Sequence, residues 1–104
     1  MITCTTEHVP GREIAEVIGL VTGNTVRSKN VGKDIGAGLK SLAGGELKSY
    51  TSMLSEARAE SLERMTKAAQ DVGADAVVML RFTTSAITEG AAELLAYGTA
   101  VKLK

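Results

Sequence analysis

Two side chains near the start of the chain have the chemistry to hold a soft metal: Cys4 and His8. A thiolate and an imidazole are the donors that zinc and copper prefer. They stand four residues apart where a strand reads into a turn, so one chain offers at most two soft ligands. A ring of copies could multiply them, but only if Cys4 or His8 faces its axis. The same pair would make a nucleophile and its base only on converging surfaces. The plainer reading keeps Cys4 as a small buried residue and His8 at the surface. Cys4 is the only cysteine, so no disulfide can form within the chain.

A second set gathers around a glycine-rich corner: Gly44, Gly45, Glu46, Tyr50 and Arg58, with Arg81 further on. Glu46 falls in the first turn of a predicted long helix, where a carboxylate complements the helix dipole. Read as chemistry, the set is a ligand pocket with backbone donors, one phenol and cationic side chains. Read as structure, it is a helix cap with salt bridges between subunits. Gly36, Gly38, Lys40 and Ser41 resemble a phosphate loop in composition. The spacing is wrong, because Leu39 intervenes before Lys40 and Asp34 stands where the first loop glycine belongs. The GAG run is therefore read as a tight packing contact.

These residues have to be placed by a long helix predicted over 45–73. Leu47, Tyr50, Leu54, Ala57, Ser61, Met65, Ala68 and Val72 recur at steps of three and four, one stripe of a 3.6-residue helix. Glu60 before Arg64 and Glu63 before Lys67 are favourable pairs four apart. Gly73 stands where a left-handed residue ends a helix. The rod is about 40 Å long.

Around it the periodicity changes. Residues 2–6 are β-branched and predict a short strand; Pro10-Gly11 marks a turn. Residues 12–27 predict a long bent strand, with Gly19 and Gly23 signalling a bulge or a close backbone approach. Residues 33–43 predict a short helix weakened by its glycines. Residues 75–87 alternate, with Val78, Leu80 and Phe82 assigned to the helix and Val77, Met79, Arg81 and Thr83 to the other face. A hairpin at 88–90 leads to a last strand over 91–104. The expected fold is α+β, in the order β-β-α-α-β-β, with one short and one long helix packed on a long-stranded antiparallel sheet. The apolar character of the second sheet face, assigned to Val77, Met79, Ala96 and Ala100, calls for the sheet to pair with copies of itself, either face to face or closed into a ring.

The bulk properties agree with one domain over residues 1–104. Twelve basic side chains balance twelve acidic ones. That balance gives no electrostatic case for nucleic acid or for an acidic membrane surface. No signal-peptide pattern and no 18-residue apolar run is read, so a cytoplasmic location is expected.

VTGNTV at 21–26, KDIGAGLKSLAGGELKSYT at 33–51, EARAESLERM at 56–65, GADAVVMLRFTTS at 73–85 and YGTAV at 97–101 together resemble the YbjQ family, small bacterial and archaeal proteins of uncertain function often labelled heavy-metal-binding. The resemblance spans nearly the whole chain. It implies a dodecin-subunit-like α+β fold and a homopentamer in which the sheets form a barrel with helices outside. The expected function is a non-catalytic binding or scaffold protein, with a small-molecule or ion site between subunits and no cofactor. The alternatives are a heavy-metal binder using Cys4 and His8, and an enzyme with a composite intersubunit site using Glu46, Tyr50 and Arg58.

Overall fold

The computed structural model describes residues 1–28, 48–88 and 90–104. Among them the elements are β1 (Ile2–Thr3), β2 (Ile14–Ser28), α1 (Lys48–Asp71), β3 (Ala76–Thr88) and β4 (Ala91–Leu103). The short helix expected over 33–43 lies outside the described residues, as do positions 45–47 at the start of the long one. The strands form one sheet in the order β1-β3-β4-β2. β4 pairs antiparallel with both β3 and β2, whereas β1 runs parallel to β3.

The sheet is therefore mixed, which corrects the antiparallel expectation. β1 and β2 lie at opposite edges, so the chain between them crosses one face of the sheet instead of closing a hairpin. Pro10 and Gly11 make the crossing possible. Gly11 has φ +79°, and Arg12 N–H donates to the Val9 carbonyl at 3.0 Å, as in a turn with proline second and a left-handed glycine third. Val9 is thereby pressed against Ala76, Val78 and Val101, with Cys4, Ile14 and Leu103 around them. This cluster is the smaller core.

The larger core lies on the other face, under α1. Val21, Met65, Ala69, Val77, Leu80, Ala96 and Ala100 pack together there. Met65, Val77, Ala96 and Ala100 are completely buried. Here the structure departs from the predicted faces: Val77, Ala96 and Ala100 are under the helix, and Val78 is on the opposite side. The cause is a β-bulge between Val78 and Arg81. Met79, with φ +55°, is the extra residue. One inserted residue inverts the alternation of side chains along a strand. Val77 precedes the bulge and Leu80 follows it, so both face the helix, while Val78 does not. Leu80 and Phe82 keep the side assigned to them.

The helix is also turned relative to the predicted stripe. Its buried residues are Met53, Ala57, Ser61, Met65 and Ala69, while Leu54 and Ala68 are half-buried and Val72 is exposed. The central three agree and the ends drift. A row of residues four apart is inclined to the helix axis, so a helix lying along such a row crosses the strands obliquely. α1 lies over β2 and β4 far more than over β3. Ser61 is completely buried, and its hydroxyl donates to the Leu94 carbonyl at 3.0 Å, which removes the penalty of burying it.

Gly23 decides how close the helix comes. A β-carbon there would overlap the backbone of Met65 and Ser61 and stand 2.9 Å from the carbonyl carbon of Arg64. β2 and α1 thus touch backbone to backbone. Gly19 has the other expected role, since β2 changes register between Val17 and Gly19. Gly73, with φ +79°, ends the helix as expected. Its N–H donates to the Gln70 carbonyl and that of Ala74 to the Ala69 carbonyl, both at 3.0 Å, a Schellman arrangement. Of the predicted ion pairs Glu60–Arg64 is present, and Lys67 pairs with Asp71 at 3.4 Å.

Two substitutions check this architecture by denaturant unfolding. Gly23→Ala is expected to destabilise the fold by about 3 kcal/mol or more, because its methyl group meets main chain that cannot rotate away. Thr22→Ala, whose side chain points to the other face, should stay within about 0.5 kcal/mol. Gly73→Val should cost roughly 1 kcal/mol or more, since a β-branched residue resists positive φ. A Gly23→Ala midpoint equal to that of Thr22→Ala, or an unchanged midpoint for Gly73→Val, would refute the corresponding contact.

Candidate functional site

Cys4 follows β1 directly, held by its N–H to the Val77 carbonyl and by its carbonyl accepting from Leu80 N–H, both 3.0 Å. Its side chain is half-buried against the smaller core. Its sulfur lies 3.7 Å from the Thr6 carbonyl and 3.8 Å from the His8 carbonyl. The thiol thus turns toward its own loop's backbone and approaches the main chain of His8, not its ring. The His8 imidazole projects into solvent, 3.5 Å from the Glu7 carboxylate. Among the described residues no three histidine, cysteine, aspartate or glutamate side chains converge as a metal cage would require. The described residues of one chain do not fit a soft-metal centre, which takes about four donors in tetrahedral array.

The proposed pocket residues are dispersed. Gly44, Gly45 and Glu46 lie outside the described residues. Tyr50 is half-buried in the first turn of α1. Arg58 is two turns further on, at about 12 Å along the axis. It lines an open groove with Ser55, Ala59, Leu62 and Phe82. Arg81 lies on the opposite side of the sheet, because it pairs with Tyr97 whereas Phe82 pairs with Ala96 of the helix-facing core. Its guanidinium donates to the Thr5 carbonyl at 2.9 Å and to the Leu80 carbonyl at 2.8 Å. Arg81 thus ties the N-terminal segment to β3 just past the bulge. It shares no pocket with Arg58.

Two features escaped the sequence reading. One is the Phe82 groove itself, about 270 Å³, which exists because α1 sits over β2 and β4 and leaves the far half of β3 uncovered. Phe82 was assigned to that side, but Leu62 lies off the predicted stripe. The other is a bridged cluster in which the Glu60 carboxylate accepts from both Arg27 and Arg64. Arg64 also donates to the Asn24 carbonyl at 2.6 Å. The helical pair was legible; Arg27, on β2, comes within reach only by tertiary packing.

The whole chain, residues 1–104, matches the family model YbjQ_1, described as "Putative heavy-metal-binding". The chain belongs to the YbjQ family. It is 66% identical over 103 residues to a "UPF0145 protein" of Methanoculleus marisnigri, covering 99% of this chain and 96% of the relative. It is 64% identical over 104 residues to one of Archaeoglobus fulgidus, covering 100% and 96%. Relatives occur in bacteria too, among them Psychromonas ingrahamii at 58%. A crystal structure of a protein of unknown function from Pediococcus pentosaceus, placed in the DUF74 family, superimposes with a TM-score of 0.64 at 18% identity, covering 100% of this chain and 98% of that one. That likeness establishes the α+β fold of this YbjQ-family chain. Among the described residues no helix is long and apolar enough to cross a membrane.

The metal description is open to a direct check. With Cys4 packed as a small half-buried side chain, zinc and copper uptake by the Cys4→Ser and His8→Ala proteins should equal that of the unsubstituted protein at the level of non-specific binding. Stoichiometric metal, measured by elemental analysis, that disappears in both variants would establish Cys4 and His8 as ligands.

Proposed function

We propose that this protein is a non-catalytic homo-oligomer, a binding or scaffold protein whose small-molecule or ion site forms between subunits on the sheet face opposite α1. What supports the reading is the uneven covering of that face. Residues 4–14 shield its lower end, around Val78 and Val101. Above the bulges it carries Leu20, Thr22, Asn24 and Val26 of β2 alongside Thr99, Tyr97, Leu95 and Glu93 of β4, with nothing from the described residues over them. Leu20 is 74% exposed and Val26 55%. Exposed apolar side chains at both ends of this row favour a partner surface. A balanced charge, twelve against twelve, opposes self-association little.

Family resemblance suggests five copies, with these faces turned inward and the helices outward. The Tyr97 phenol, the Asn24 amide and the Thr22 hydroxyl would then stand with Thr99, Glu93 and Arg81 among the polar groups of a mixed lumen. That mixture suits a small organic ligand or a hydrated ion better than a reaction.

Light scattering at micromolar concentration should give a mass several times the 10.8 kDa of one chain, with five copies the expected number. Leu20→Asp should lower that mass, because it places a charge in the joined faces. A thermal-shift series on the intact oligomer then searches for the ligand. A monomer mass for the unsubstituted protein would refute the proposal.

A further inference from the structure

The groove between α1 and β3 combines an apolar floor with an unpaired cation. Its floor is Phe82, and its wall is Ser55, Arg58, Ala59 and Leu62. The wall residues recur at steps of three and four, so they share one flank of the helix. Phe82 stands on the helix side because it pairs with Ala96, and Thr84 beyond it pairs with Leu94 of the same buried row. α1 lies over β2 and β4. The Phe82 ring is consequently 40% exposed, although it sits in a concave site and not on a convex surface.

Arg58 sets this flank apart electrostatically. Further along α1, Arg64 pairs with Glu60 and Lys67 with Asp71. The residues three and four away from Arg58 are Leu54, Ser55, Ser61 and Leu62, so the helix offers it no carboxylate. Nor does any described residue of the sheet: its guanidinium makes no ion pair or hydrogen bond with them. Its donors stay available at the mouth of the groove, with the Ser55 hydroxyl one turn before them.

The other end of the groove is closed to apolar matter. Ala59 and Leu62 also line a neighbouring hollow whose further walls are Glu63, Thr66, Lys67 and Gln70. Past Leu62 the surface is therefore polar. Arg58 and Glu63 are about 7 Å apart along the helix axis, which limits the apolar stretch to one or two fused rings.

We propose that this groove binds a small aromatic monoanion, with its rings laid on Phe82 and Leu62 and its carboxylate or sulfonate held by Arg58. A phenylalanine ring accepts a second ring in an offset stack. The planar guanidinium offers two parallel N–H donors to two oxygens of one acid group. A second negative charge at the far end would meet Glu63, so one charge suits the site better than two. The groove is on the helix side of the sheet, which makes this site distinct from the one proposed between subunits. All its named groups come from one chain, so it does not depend on the number of copies.

Two fluorescent probes that differ in charge test the site on the full-length protein. Anilinonaphthalenesulfonate is an aromatic monoanion, and N-phenylnaphthylamine is its neutral counterpart. The first should bind more tightly than the second. Arg58→Gln should weaken the anionic probe roughly tenfold, the worth of one charge-assisted hydrogen bond, and leave the neutral probe unchanged. Phe82→Ala should weaken both. Arg58 is exposed, so its substitution leaves the fold intact, and the two probes on Arg58→Gln decide the matter even if Phe82→Ala is unstable. Equal affinity of the anionic probe for the unsubstituted and Arg58→Gln proteins would overturn the proposal. So would loss of binding in Tyr97→Ala with Arg58→Gln and Phe82→Ala unaffected, because the probe would then occupy the opposite face of the sheet.

Discussion

The helix touches the sheet through main chain, and most of the structure follows from that contact. Gly23 leaves room for the backbone of Ser61 and Met65 to rest on β2. The approach is close enough that the facing side chains must be small or slender. Ala57, Ser61 and Ala69 supply them from the helix, and Ala96, Gly98 and Ala100 from β4. A core of small residues buries little area per side chain. Its stabilisation comes from dense packing, and the completely buried Ser61 hydroxyl is paired with the Leu94 carbonyl.

Fixing α1 over β2 and β4 has consequences at both edges. On the β2 side Glu60 comes within reach of Arg27, and Arg64 within reach of the Asn24 carbonyl. On the β3 side the helix stops short, leaving Phe82 and Leu62 as the walls of an open groove. The asymmetry ties the β2 edge to α1 and leaves the far half of β3 uncovered by the described residues.

The bulges make a second division, along the strands. Those between Val17 and Gly19 and between Val78 and Arg81 lie at about the same level, on either side of the Gly98–Val101 stretch of β4. Gly98 accommodates the second one, for a β-carbon there would come within 2.5 Å of the Val77 side chain and 3.1 Å of the Val78 carbonyl. Below this level the N-terminal segment covers the open face, and Arg81 holds it in place. Above it no described residue covers the face.

By itself the sequence determined the long helix, the strands and the glycine-dependent points among the described residues. The α1 period, the long strands, the left-handed Gly73, the turn at Pro10-Gly11 and the special roles of Gly19 and Gly23 are local properties of residue type and spacing, and family membership was legible in ordered blocks. Which face each side chain occupies was decided only in three dimensions. One extra residue at Met79 reversed the parity of β3, moving Val77 under the helix and Val78 away from it, and alternation alone does not announce such an insertion. The oblique crossing of α1 exchanged Leu54 for Met53 and Ala68 for Ala69, because a 3.6-residue period constrains a stripe only to within a residue. The parallel placing of β1 depends on the route of residues 4–13 across the sheet, a long-range packing choice that no local spacing encodes.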